Sequence, residues 1–112
     1  QPGPWPQLTG PEGHEKALIK IYGEIRILFE PMGLRLTRLR QDERRAWWLT
    51  FDNGLEVQVG RDQFEQRLRR LAQLYPRILS TQVDRIAVVD LRYGNGFAVR
   101  WKVAQPPIPA AG

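Results

Sequence analysis

The chain has 112 residues, 42% hydrophobic and 26% charged, with a formal charge of +5. Such a length and apolar fraction permit one domain with one core and exclude a disordered chain. The absence of cysteine excludes disulfides, thiolate metal sites and thiol nucleophiles.

No run of about 18 apolar residues is present to span a membrane. The start lacks the basic and apolar regions of a secretory leader. Opening on Gln1 rather than Met predicts a piece of a longer protein, whose tether or targeting lies upstream. Fourteen of the 17 cations are Arg, a bias that suits carboxylate or phosphate partners because the guanidinium fork binds both bidentately. Nucleic acid is thus one candidate partner. Against it, the signs are interleaved. Arg38, Arg40, Arg44 and Arg45 surround Asp42 and Glu43, and Arg67, Arg69 and Arg70 share a helix with Asp62 and Glu65, as on a solvated surface.

Prolines punctuate both ends, which predicts an extended start over Gln1 to Leu8, a domain over residues 9–103 and a flexible tail from Ala104 to Gly112. From Glu12 to Glu30, Leu18, Ile21, Tyr22, Ile25, Leu28 and Phe29 recur at helical steps, and Pro31 with Gly33 stops the helix. Leu34, Leu36 and, one register later, Leu39 predict a half-buried strand. A second strand runs from Arg45 to Phe51 with Trp47, Leu49 and Phe51 on one face. That alternation turns Trp48 away from the core, as a contact patch or a seat for the start through Trp5. Asp52-Asn53-Gly54 is a hairpin signal, and Leu55, Val57 and Val59 continue as the third strand.

Asp62 and Glu65 have capping-box spacing, Phe64, Leu68, Leu71 and Tyr75 form a second helical face, and Pro76 ends or bends that helix. A strand over Arg85–Tyr93, a Gly94-Asn95-Gly96 turn and a last strand from Phe97 to about Val103 complete the chain. The expected class is α+β, in the order αβββαββ, with an antiparallel sheet covered on one face by two helices and the last strand at its edge. The predicted core sets Trp47, Leu49, Phe51, Leu55, Val57 and Val59 against Leu18, Ile25, Leu28, Leu68 and Leu71.

Catalysis has little footing. His14 is the one histidine, expected as a solvated residue at a helix start, and the carboxylates are scattered among Arg. No phosphate-cradling glycine motif is present, so no enzyme and no cofactor are expected. Gly96-Phe97-Ala98-Val99 matches the middle of an RNA-recognition signature. An aromatic is missing at Val99, however, and the element order is wrong for that fold.

The run from Asp90 to Trp101, Asp-Leu-Arg-Tyr-Gly-Asn-Gly-Phe-Ala-Val-Arg-Trp, resembles the terminal signature of the bacterial FtsQ/DivIB cell-division family. Gly10-Pro11-Glu12-Gly13, Arg44-Arg45-Ala46-Trp47, the Asp52-Asn53-Gly54 turn, Gly60-Arg61 and Leu74-Tyr75-Pro76 match that family in order and spacing, from about Leu8 to Lys102. The resemblance implies a truncated, non-enzymatic β domain that lacks the upstream POTRA and transmembrane segments. It implies the periplasmic part of a single-pass inner-membrane protein at the division septum, with the membrane tether expected only at full length. Its implied partners are FtsB and FtsL, through which it links early and late division proteins and helps control septal peptidoglycan synthesis. The implied contact positions are Arg92, Tyr93, Asn95, Gly96, Phe97 and Trp101, with Arg92 facing a partner carboxylate and Tyr93 and Trp101 as anchors for an added strand. A basic nucleic-acid-binding α+β domain is the alternative.

Overall fold

The structure, a computed structural model, describes residues 6–92 and 96–102. Its elements are β1 (Gln7–Thr9), α1 (Glu15–Phe29), β2 (Leu36–Gln41), β3 (Trp47–Phe51), β4 (Glu56–Gly60), α2 (Phe64–Arg77), β5 (Ile86–Asp90) and β6 (Ala98–Trp101), with short 3-10 turns after each helix. The strands form one sheet in the order β1-β2-β3-β4-β5-β6. The α+β class and the edge position of the last strand are as expected.

Two details of the expectation are corrected. A strand, β1, precedes α1, so the order is βαβββαββ rather than αβββαββ. The sheet is mixed rather than antiparallel, because β1 pairs β2 and β4 pairs β5 in parallel. Each parallel pair is joined by a helical crossover, α1 or α2, since parallel neighbours cannot be linked by a tight turn. β1 offers a single apolar residue, Leu8, so it carries no alternation to read.

Alternation in the middle of the sheet decides which face is dry. Trp47, Leu49, Phe51, Val57 and Val59 are buried, while Trp48, Thr50, Glu56 and Gln58 between them are only half-buried. Leu18, Ile25 and Phe29 of α1 and Leu68 and Leu71 of α2 close over that dry face, with Leu28 packed at its margin. The Phe29 and Phe51 rings meet at 5.2 Å. All of the predicted core positions therefore lie in one cluster. In β2 a bulge between Leu36 and Arg38 shifts the register, which is why Leu36 and Leu39, three positions apart, both reach the core.

The turns show where local signals were overridden. Gly54 adopts φ +89° at the β3–β4 hairpin, and Asn53 Oδ1 accepts from the Leu55 amide at 3.0 Å. The Asp62–Glu65 capping box is not formed. Gln63 stands at the N-cap in the left-handed region (φ 54°) with no side-chain cap bond. That turn delivers Phe64 onto the Trp47 ring at 5.3 Å, so aromatic packing takes precedence over the cap. Pro76 lies inside the last turn of α2, which runs on to Arg77. His14 is the N-cap of α1 and is half-buried rather than solvated, its Nδ1 3.1 Å from Gln41 Oε1. The predicted strands Arg85–Tyr93 and Phe97–Val103 are shorter in the described residues, as Ile86–Asp90 and Ala98–Trp101. Trp5, Tyr93, Gly94, Asn95 and the Pro-rich tail lie outside the described residues.

Candidate functional site

Antiparallel pairing builds the terminal hairpin: Asp90 faces Ala98, Val89 faces Val99 and Val88 faces Arg100. A register shift between Ile86 and Val88 then places Trp101 opposite Ile86, and the Lys102 amide donates to the Arg85 carbonyl at 2.7 Å. β6 has one strand neighbour, β5, among the described residues. Its outer side therefore presents main-chain donors and acceptors that no described strand uses.

Along β6 the side chains divide by depth. Phe97 and Val99 are half-buried and pack against the core. Trp101 lies on the same side by alternation but is 50% exposed, bordering a shallow hollow with Gln82, Asp84 and Arg85. Of the three residues that alternation sets on this side, Phe97 and Val99 therefore pack on the core and Trp101 lies at the surface. Arg100 and Lys102 are exposed.

Arg92 follows β5 and is tied to it. Its Nε donates to Asp90 Oδ1 at 2.9 Å, its Nη2 to Asp90 Oδ2 at 2.8 Å, and its backbone amide to Asp90 Oδ1 at 3.0 Å. These hydrogen bonds from the Arg92 side chain, opposed by burial, hold the Asp90 carboxyl below the ordinary carboxylate range. The guanidinium is thus oriented in the plane of a carboxylate before any partner arrives, with its side chain 53% exposed. Arg92, Gly96, Phe97 and Trp101 all fall on this hairpin. Tyr93 and Asn95, the other two predicted contact positions, lie outside the described residues.

Three residues around the hairpin escaped the sequence reasoning. Arg67 and Arg70 of α2, read as solvated cations, are half-buried and donate to main-chain carbonyls. Gly60, at the end of β4, has φ +86° beneath them. The available signal was position: Arg67 stands at helical spacing from Phe64 and Leu71, on the flank of the apolar face.

Two other surfaces are less developed. On the sheet face away from the helices, the Arg40 guanidinium lies 4.8 Å over the Trp48 ring, so the expected outward Trp is half-covered by its cross-strand neighbour. Beside it, Asp42 Oδ1 accepts from the Arg44 and Ala46 amides, each at 2.9 Å, which lowers its pKa. Among the described residues no group of three or more His, Cys, Asp or Glu could hold a metal ion. No helix among them is long and apolar enough to cross a membrane.

The family model described as "Cell division protein FtsQ/DivIB, C-terminal" matches residues 1–92. Among curated relatives, the cell division protein FtsQ of Acinetobacter oleivorans is 41% identical over 102 residues, 91% of this chain and 36% of that protein. FtsQ of Xanthomonas campestris is 43% identical over 94 residues, covering 84% of this chain and 34% of its own length. For FtsQ of Methylomonas methanica the identity is 37% over 103 residues, 92% of this chain and 41% of the relative. The chain spans about a third to two-fifths of the length of these relatives. With a family match over most of its length and the expected α+β fold beneath it, the chain belongs to the FtsQ/DivIB family of cell-division proteins.

Proposed function

We propose that this domain is a non-enzymatic scaffold of the division machinery that binds FtsB, together with FtsL, by strand addition along β6. In the full-length protein it stands in the periplasm at the septum, tethered through an inner-membrane span upstream. There it links early and late division proteins and helps control septal peptidoglycan synthesis.

The observation that carries this reading is the edge itself. Among the described residues β6 has a single strand neighbour, and it ends in a half-exposed Trp101. An extended partner segment draws its affinity from main-chain hydrogen bonds and its specificity from alternate side chains. Arg92, oriented by its fork on Asp90, adds a half-exposed positive charge that draws a partner carboxylate, while Trp101 supplies a large apolar anchor. Tyr93, Asn95, Gly96 and Phe97 complete the contact set that the family resemblance implies.

Two variants test the reading against the periplasmic part of the cognate FtsB. Trp101→Ala is expected to weaken binding by about 2 kcal/mol or more while the fold persists, because the ring contributes to the surface rather than to the core. Arg92→Glu is expected to weaken it by meeting like charge, with partial recovery when the facing partner carboxylate is reversed to a cation. Normal binding by both variants in calorimetric titration would overturn the proposal.

A further inference from the structure

The turn of the terminal hairpin is flanked on both sides by carbonyls that α2 holds. Arg67 Nη2 donates to the Arg92 carbonyl at 3.2 Å, just past β5, and Arg70 Nη1 donates to the Gly96 carbonyl at 3.1 Å, just before β6. Arg67 spans a second element at the same time, because its Nη1 donates to the Val59 carbonyl of β4 at 2.8 Å. One planar guanidinium thus joins the end of β4 to the segment just past β5, its rigid fork setting two separate N–H groups on two carbonyls at once. The Arg67–Val59 and Arg70–Gly96 bonds are partly buried, where a charged donor on a neutral carbonyl is stronger than in water, and the Arg67–Arg92 bond is exposed.

Gly60 keeps this passage open. A Cβ at Gly60 would stand 2.8 Å from Arg67 Nη1 and 2.9 Å from Arg92 Cγ, closer than carbon atoms come to such neighbours. Its φ of +86° disfavours any side chain there as well. Glycine is therefore required where the Arg67 and Arg92 side chains cross the end of β4.

We infer that Arg67 and Arg70 are positioning residues that fix the docking hairpin to α2, so that the β6 edge meets a partner strand already ordered. The inference rests on the reading of β6 as the docking edge. The β5–β6 ladder alone is a weak support: it is four residues long on the β6 side and is interrupted by the register shift at Ile86 and Val88. β6 is thus held by one short ladder on a single side among the described residues, with Phe97 and Val99 as its apolar contacts to the core. The clasp supplies the missing restraint at the turn end, as the Lys102–Arg85 bond does at the other. An edge held in its bound shape avoids an ordering penalty on association.

The test compares the unmodified domain with Arg67→Lys, Arg70→Lys and the double variant Arg67→Met/Arg70→Met, the lysine forms preserving charge if the double variant folds poorly. Hydrogen–deuterium exchange is read in the free domain, and affinity is read against an extended peptide carrying the periplasmic strand-forming segment of FtsB. In the double variant, amides of Leu91, Arg92 and Gly96 to Lys102 are expected to exchange about tenfold faster or more, while β2–β4 stay within about twofold. Affinity is expected to fall about tenfold, with Arg67→Lys intermediate because a flexible ammonium replaces the rigid fork on its two carbonyls. Unchanged hairpin exchange, or equal acceleration throughout the sheet, would overturn the inference, as would selective loosening with unchanged affinity. Trp101→Ala and Arg92→Glu separate the two readings: if both bind as tightly as the unmodified domain, the docking edge is refuted and the positioning role with it. The exchange pattern then still reports whether α2 holds the hairpin.

Discussion

Leu49 is the residue on which the dry face depends most. It is fully buried at the centre of β3 and lies between Leu39 on β2 and Val57 on β4. Truncation to Ala removes buried methyl groups from a site with rigid neighbours on both sides. Urea unfolding of Leu49→Ala is expected to show a loss of about 2–5 kcal/mol, and a loss under about 1 kcal/mol would contradict the packing. The Asp90–Arg92 pair makes a second residue-scale prediction. The Asp90 carboxyl titrates below its ordinary range because Arg92 hydrogen-bonds its charged form. A depressed folded-state value means that the stabilisation is complete above the unfolded carboxylate value and is lost as pH falls through the folded one. In Arg92→Ala the Asp90 midpoint, followed by carboxyl NMR, is expected to move up toward the usual carboxylate value. A midpoint that stays in place would show that Arg92 does not set it.

At the scale of elements, apolar spacing was legible and pairing was not. Leu18, Ile25 and Phe29 on α1 and the alternation of Trp47, Leu49 and Phe51 on β3 could be read directly, because each records burial of one face. Parallel pairing leaves no such mark. β1 is three residues long, and nothing in Gln7-Leu8-Thr9 says that Leu8 will lie beside Leu39. The start of α2 misled for a different reason. Asp62 and Glu65 have the spacing of a cap, yet the chain enters the helix through a left-handed Gln63 that brings Phe64 onto Trp47. The last strand and its edge position were legible, through the turn glycine Gly96 and the alternation of Phe97 and Trp101. The hairpin was illegible where it depends on long side chains of α2, since an arginine bound to a distant carbonyl looks in sequence like any surface cation. Gln63 supplies the prediction at this scale. A non-glycine residue at φ 54° is strained, so Gln63→Gly is expected to raise stability by about 0.5–1 kcal/mol in thermal or urea unfolding. A decrease would mean that the Gln63 side chain contributes more than its backbone strain removes.

For the molecule as a whole, two β-α-β crossovers place both helices on one face and leave the strand edges to β1 and β6. The edges differ in what they offer. β1 is a three-residue strand, whereas β6 carries a half-exposed Trp101 and follows an oriented Arg92. Natural sheets seldom leave such an edge open without protection or a use. Arg100 and Lys102 are the modest protection here, and two cations beside an open ladder also favour an acidic partner segment. The most direct test of the docking edge is amide hydrogen exchange on the isotopically labelled domain, read residue by residue before and after addition of the periplasmic part of FtsB. Added main-chain pairing predicts new protection at alternate residues of Ala98–Trp101, with β1 and the exposed faces of α1 and α2 unchanged. Protection that appears at β1 or on the helices while Ala98–Trp101 exchange as before would contradict strand addition at β6.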